Sequence, residues 1–256
     1  VGLGSGYKIT DGISNTSVGF DSMVSGTTGD SNSSLGSQAL YTNTQGSHNT
    51  AVGQNALYSM NGDFTAKTAS YNTALGSQAG KLLTTGSYNT FIGWGADVTE
   101  AAGTISNATA IGYNAKVNAS NKVIIGNSAV TAIGGYVNWF NYSDSREKKD
   151  VSDCHVGLEF VERLRPVSFR YNGQDTLRQG FVAQEVERAC DELGIEFGGL
   201  AKPQNKADRY MLSYSDFVVP LVNAVKTLKA ENDGLRAENS GLRARLEKIE
   251  AKLGMQ

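Results

Sequence analysis

Seven segments of this chain repeat one pattern: SNTSVG, SNSSLG, SHNTAVG, SYNTALG, SYNTFIG, SNATAIG and SNKVIIG. Each runs from a serine, often through an aromatic residue or histidine, to an asparagine, a short polar/apolar alternation and a glycine. The glycines are Gly19, Gly36, Gly53, Gly76, Gly93, Gly112 and Gly126, with Gly2 as an earlier, truncated member; successive spacings are 17, 17, 17, 23, 17, 19 and 14. A second element follows most of them, as in Ser37-Gln38-Ala39-Leu40, Gln54-Asn55-Ala56-Leu57, Ser77-Gln78-Ala79-Gly80 and Tyr113-Asn114-Ala115-Lys116. One structural unit is therefore repeated about eight times, and such periods mark solenoids and stacked arrays.

A unit of this length with few helix formers predicts short strands joined by Gly/Ser/Asn turns. A segment such as Thr73-Ala74-Leu75 is expected to turn one large apolar residue per strand inward, beside a glycine that lets the backbone turn. One coil buries too little apolar surface, so stacked coils, and stacked chains, must supply the core. The asparagine at a fixed place predicts either an inward amide ladder or a turn residue that tolerates left-handed φ. The surplus between Gly53 and Gly76, Ser59 to Ala69, predicts a loop projecting from the shaft. Tyr58, Tyr71, Tyr88, Trp94 and Tyr113 are packing residues between coils or chains, or, if exposed, platforms for sugar rings. Regular spacing with recurrent Val, Leu and Ile argues against a disordered Gly/Ser/Asn segment.

The charge distribution divides the chain. Residues 1–142 hold only Lys8, Lys67, Lys81, Lys116 and Lys122 against Asp11, Asp21, Asp30, Asp63, Asp97 and Glu100, whereas the whole chain has 23 basic and 25 acidic residues. Twenty-one of the 30 glycines lie in that first part, and Pro166, Pro203 and Pro220 all lie beyond it. Neither part has the basic excess that nucleic-acid phosphates demand. No run of about 18 apolar residues is present, so no membrane insertion is expected. No signal peptide is visible, and a start at Val1 implies a fragment. Cys154 and Cys190 do not make a disulfide framework and are expected to be free thiols in a reducing cytosol. Cys154-His155 invites a cysteine-nucleophile reading, but adjacent side chains point apart on a strand and no orienting partner is near. No cofactor or metal motif is read.

The repeats resemble the head repeats of trimeric autotransporter adhesins and the shafts of phage tail fibres, over roughly residues 1–130. That resemblance implies a fibrous, trimeric shaft.

The two compositions meet at Ser143-Asp144-Ser145-Arg146-Glu147-Lys148. Before it, Tyr136-Val137-Asn138-Trp139-Phe140 reads as a last strand leaving the repeats. After it, Leu158 to Leu164 reads as a short helix, residues 165–171 as a strand, Asn172-Gly173 as a turn, and Ala183 to Leu193 as a helix with Val186, Ala189, Cys190 and Leu193 on its core face. Tyr210 to Tyr214 reads as a strand, with Ser213 or Ser215 capping the final helix. A serine hydroxyl attacks a carbonyl only if a base takes its proton, and a lysine serves as that base if burial or a neighbouring cation lowers its pKa from about 10.4. Arg146 and Lys149 lie near Lys148 in sequence. Ser143 and Lys148, however, fall on opposite faces of a strand and about 140° apart around a helix. Their contact requires a turn between them, or a lysine from a neighbouring chain. Without that contact, SDSREKKD is an exposed charged turn with Ser143 or Asp144 as an N-cap.

Three ordered anchors then carry a second resemblance: SDSREK, Val161-x-x-Leu164-x-Pro166-x-x-Phe169-x-Tyr171, and GFVAQEV from Gly180. Over Ser143 to about Leu228 the chain resembles the autocleaving intramolecular chaperone domain at the C-terminus of phage endosialidases and other tail fibres. A related domain occurs in a membrane-bound myelin transcription factor of animals. The resemblance implies Ser143 as nucleophile, Lys148 as base and the Tyr142–Ser143 bond as the cleavage site. The oxyanion donors are not readable.

The final helix sustains a heptad with Val225, Asn232, Asn239, Leu246 and Leu253 at a, and Leu228, Leu235, Leu242 and Ile249 at d. The pairs Glu231–Arg236, Glu238–Arg243 and Arg245–Glu250 are opposite in sign, which suits a parallel, in-register coiled coil. Asn at a with Leu at d would by itself favour a dimer; the repeats and the resemblance imply a homotrimer, which is the reading adopted.

The expected architecture is thus a mainly β repeat shaft, trimeric and β-roll or β-helix-like (residues 1–142), a small α/β chaperone domain (143–216) and a parallel trimeric coiled-coil helix (217–256). The expected function is that of a phage tail-fibre or tail-spike C-terminal region. It would fold in the host bacterial cytoplasm, release its chaperone by serine autoproteolysis and reside in the virion tail, where the shaft meets a host cell-surface glycan or protein receptor. The alternative is a bacterial trimeric surface adhesin with a permanent C-terminal cap. Glycan hydrolysis generally needs a pair of carboxylates, and the shaft's six acidic residues are scattered.

Overall fold

The computed structural model describes residues 1–62, 68–99 and 103–254. The chain forms a β-solenoid followed by a small α/β region and a long C-terminal helix. It divides into two compact units, Val1–Asn138 with Pro203–Asp208, and Trp139–Lys202 with Arg209–Gln256.

The first unit contains β1 (Thr16–Val18), β2 (Ser33–Leu35), β3 (Thr50–Val52), β4 (Thr73–Leu75), β5 (Thr90–Ile92), β6 (Asp97–Val98), β7 (Thr109–Ile111), β8 (Lys116–Val117) and β9 (Val123–Ile125). Seven of these stack as one parallel sheet in the order β1-β2-β3-β4-β5-β7-β9, and β6 pairs with β8. Register is strict: Thr50 faces Thr73, Ala51 faces Ala74 and Val52 faces Leu75.

The pleat decides what enters the core. The middle residue of each strand points inward, so Ser34, Ala51, Ala74, Phe91 and Ala110 are buried. The sequence-based expectation of a large inward residue is corrected here: Leu75 is 50% exposed, and Leu35, Ile92, Ile111 and Ile125 also face outward. A narrow coil has room for alanine at mid-strand, and alternation then sends both neighbours out. The larger core side chains, Met23, Leu40, Leu57, Met60 and Leu83, enter from the turns instead.

The asparagine column is an inward ladder. Asn49 Oδ1 accepts from the backbone N–H of Asn72 at 2.9 Å and from its Nδ2 at 3.2 Å. Asn72 does the same for Asn89, at 2.9 and 3.0 Å. The left-handed backbone falls on the residue before the ladder asparagine at Ser14, Ser31, His48, Tyr71 and Tyr88, and in the last two repeats on the asparagine itself, Asn107 and Asn121, where Ala108 and Lys122 follow; all seven have φ between 52° and 61°. The strand-ending glycines are fixed by close approach, since a β-carbon on Gly53 would lie 2.5 Å from the carbonyl oxygen of Gly76. Aromatic residues stack between coils, His48 on Tyr71 at 4.8 Å, Tyr71 on Tyr88 at 5.0 Å and Trp94 on Tyr113 at 5.3 Å. Of the projecting loop read from Ser59 to Ala69, residues 63–67 lie outside the described residues, while Met60 and Ala69 on either side of them are buried in the solenoid core rather than projecting from it.

The second unit contains α1 (Leu158–Arg163), β10 (Val167–Phe169) paired antiparallel with β11 (Arg178–Gly180), α2 (Ala183–Leu193), β12 (Leu200–Ala201) paired with β13 (Met211–Leu212), and α3 (Val218–Leu253). Phe160, Val186, Ala189, Cys190 and Phe217 form its core, ringed by Phe181 and Phe197. Gly194 ends α2 in the left-handed conformation. Ser213 caps a single 3-10 turn, Tyr214–Phe217, rather than α3 itself, and its side chain makes no capping bond there. The stretch Tyr136–Phe140 is not a strand but irregular backbone, and Trp139 is 83% exposed.

Candidate functional site

A strand or a helix would separate Ser143 from Lys148. Here Asp144 is the N-cap of a one-turn 3-10 helix, Ser145–Glu147, and its side chain accepts from the Arg146 N–H. The turn closes through the Lys148 N–H donating to the Ser145 carbonyl at 3.2 Å. The chain then leaves extended at Lys148, with φ −111° and ψ 140°. This reversal folds the lysine back, so that Lys148 Nζ donates to Ser143 Oγ at 2.9 Å within one chain.

Arg146 is held elsewhere. Its Nη2 meets Asp144 Oδ2 at 2.6 Å and its Nε meets both carboxylate oxygens at 3.1 Å. The guanidinium holds the Asp144 carboxyl below the usual range, and the carboxylate raises Arg146 in turn. Tyr142, Ser143 and Lys148 are all solvent-exposed, Tyr142 at 99%.

The two later anchors build the surrounding fold. Arg165, beside Pro166, pairs with Glu185 of α2 at 2.5 Å. Phe169 meets Tyr171 edge-on at 5.2 Å, and the Arg178 guanidinium lies over the Tyr171 ring. Tyr214 Oη accepts from the Phe181 N–H at 3.0 Å. A β-carbon on Gly180 would lie 2.1 Å from that same oxygen, so GFVAQEV opens with glycine because the tyrosine occupies the space.

Residues 143–195 match the protein family described as chaperone of endosialidase. This segment is a chaperone-of-endosialidase domain. It starts at Ser143, within the first anchor, and runs just past α2. No curated protein and no solved structure matches the chain. The similarity covers residues 143–195, that is α1, β10, β11 and α2, and stops before α3.

The heptad residues of α3 lie on one continuous helix. Val225, Leu228, Leu235, Leu242, Leu246 and Ile249 are each half-exposed or more, and Asn232 and Asn239 are exposed; the side chain of Leu253 lies outside the described residues. Asn223, two residues before the first heptad position, Val225, donates from Nδ2 to the carbonyls of Cys154 and Val156 at 2.8 and 3.0 Å, tying that segment to α3. Cys154 is exposed and Cys190 buried, both as free thiols. Among the described residues no cluster of His, Cys, Asp and Glu could hold a metal ion, and no helix is long and apolar enough to cross a membrane.

Sequence reasoning missed a buried carboxylate in the shaft. Asp97, only 2% exposed, accepts from the Leu82 N–H at 3.0 and 3.2 Å and from the Val98 N–H at 2.8 Å. Burial pushes its pKa from 3.8 up to about 6, against the lowering by those N–H groups and by Lys116 and Lys81. The only signal was its position, since an aspartate stands where earlier coils place Met23, Leu40 and Leu57.

Proposed function

We propose that this chain is the C-terminal region of a phage tail-fibre or tail-spike precursor. Its α/β domain and α3 assemble three chains in register, and Ser143 then cuts them from the shaft. The observation that carries the reading is the 2.9 Å approach of Lys148 Nζ to Ser143 Oγ at the start of the matched segment.

The chemistry follows from those atoms. Lys148, once neutral, takes the hydroxyl proton as Ser143 Oγ attacks the Tyr142 carbonyl carbon. The C–N bond of Ser143 breaks, its nitrogen leaves with a proton as an amine, and an ester joins Tyr142 to Ser143 Oγ. Water then hydrolyses the ester, leaving a carboxylate at Tyr142 and the serine hydroxyl restored. The exposure of the pair in a single chain fits a site that becomes active on assembly, because desolvation favours a neutral lysine.

Two unsatisfied seams support trimerisation. One is the a/d stripe of α3. The other is the outward column Val18, Leu35, Val52, Leu75, Ile92, Ile111 and Ile125, one aliphatic residue per strand across the seven-stranded sheet. Stacked repeats slip between registers at little cost, and a parallel coiled coil removes that freedom. The shaft left behind is the part that meets the host surface.

Intact mass under denaturing conditions tests the reading. The chain is expected to yield two fragments, one ending at Tyr142 and one starting at Ser143, and the Ser143→Ala variant a single chain. Uncut protein from both would remove Ser143 as a nucleophile and make the C-terminal part a permanent cap, as on an adhesin.

A further inference from the structure

The solenoid needs an end. In its interior each coil hands its backbone groups to the next: the Ser87 N–H donates to Ser106 Oγ, and the Ser106 N–H to Ser120 Oγ, at 3.0 and 3.1 Å. The coil that carries Asn118 and Ser120 leads from β8 into β9, the last strand of the stack. A bare terminal coil would leave polar groups and an open sheet edge, which repeat proteins close with a cap.

Residues Pro203–Asp208 lie against the loop of that last coil, at Asn118, Ser120 and Lys122, and belong to the first compact unit. Asn118 and Asn205 exchange bonds around them: Asn118 Nδ2 donates to the Ala207 carbonyl at 3.0 Å, and Asn205 Nδ2 to the Asn118 carbonyl at 2.9 Å. Gln204 Nε2 donates to the Ser120 carbonyl at 3.2 Å. At the centre, Lys122 Nζ meets Asp208 Oδ1 at 2.5 Å, with side chains only 12% and 1% exposed. The other carboxylate oxygen of Asp208 accepts from the Gln204 N–H at 2.8 Å, and Asn205 Oδ1 accepts from the N–H groups of Ala207 and Asp208 at 2.9 and 3.0 Å. The segment is therefore folded on itself as well as bonded to the last coil.

We propose that Pro203–Asp208 is the end cap of the shaft, latched by the buried Lys122–Asp208 pair, so that cutting the chain at Tyr142–Ser143 does not by itself separate the two parts. The consequence for release rests on the cleavage proposed above. The cap lies downstream of the cut and the coil it closes lies upstream, so the cut ends are held until the latch opens. Burial shields the pair from salt, and removing one partner strands the other charge.

The test is independent of Ser143. In the full-length Ser143→Ala chain, a recognition sequence for a site-specific protease is inserted after Ala129, in exposed irregular backbone, and cut with that protease. Native size exclusion with mass analysis should show the two halves co-eluting, at high salt as well as low. Asp208→Asn should make the halves separate at least about 30-fold faster. Replacing both charges, Lys122→Met with Asp208→Leu, should restore co-elution, because a matched apolar pair strands no charge. Immediate separation of the parent halves overturns the cap, and an Asp208→Asn protein that holds together as long as the parent overturns the latch. Because the cut is supplied from outside, neither outcome depends on whether the chain cleaves itself.

Discussion

Gly80 and Phe91 are fitted to each other: a β-carbon on Gly80 would lie 2.8 Å from Cδ2 of Phe91 and 2.6 Å from Cδ2 of Leu57. Gly80 stands where other coils place Leu40 and Leu57, and all three are left-handed, with φ of 61°, 53° and 51°. Conformation therefore does not demand glycine at this position. The phenylalanine ring, which replaces alanine at mid-strand, does. Gly80→Leu is expected to destabilise the shaft by about 1–3 kcal/mol through overpacking. Adding Phe91→Ala should return most of that loss, as read by denaturant midpoints.

The amide ladder makes a sharper demand. Asn49 Nδ2 donates to Asn32 Oδ1 and to the Ala69 carbonyl, at 3.1 and 2.9 Å, while its oxygen serves Asn72. Asn49→Ala leaves buried donors and acceptors without partners, each costing about 1–3 kcal/mol. A loss of about 3 kcal/mol or more in shaft stability is expected by chemical denaturation, against a few tenths for the exposed Thr50→Ala.

Asp97 gives the shaft an acid preference. Between pH 3.8 and about 6 the unfolded chain has released this proton while the folded coil retains it. The folded state then binds more protons, so stability falls as pH rises through that window and is level above it. The contribution amounts to about 3 kcal/mol. Asp97→Asn should be more stable than the parent at pH 7, and the gap should close toward pH 4 in unfolding curves measured across that range. A gap that widened toward acid would reverse the assignment.

Cleavage should depend on the turn that folds Lys148 back. Asp144→Ala removes the cap of the 3-10 helix and frees Arg146, and should slow cutting roughly tenfold. Time courses of fragment appearance would read this, with circular dichroism confirming that α2 and α3 persist.

The polar residues in the α3 seam should trade stability for a single assembly. Asn232→Ile with Asn239→Ile is expected to raise the melting temperature of the helix. It should also broaden the oligomer distribution seen by sedimentation, since in the coiled coil proposed above an Asn at a fixes register and chain number.

Much of this was legible in the chain itself, for physical reasons that can be named. The glycine and asparagine columns recur because parallel stacking sets identical groups over one another, so a period in sequence is a column in space. Which strand residue enters the core was not legible. Polarity ordinarily marks the outer face, yet Leu75 and Ile92 lie outside while Ala74 and Phe91 lie inside. The Ser143–Lys148 approach needed a reversal, and the three-residue turn that makes it carries little signal beyond the capping aspartate. Asp208 meeting Lys122 could not be read at all. Eighty-six positions separate them, and a Lys and an Asp in separate loops are ordinary surface residues until the fold buries both.

The left-handed column from Ser14 to Asn121 has a wider meaning. Serine, histidine, tyrosine and asparagine all occupy it with nearly the same φ, while from Asn15 to Asn89 the asparagine ladder beside it carries the load. The outer side chain at each level is thus uncoupled from the core that holds the level in place. A shaft built this way behaves as a rack whose labels, stacked on one another from His48 to Tyr88, can be exchanged without disturbing the shelves, so its surface chemistry can drift toward a new binding partner while its interior stays as it is.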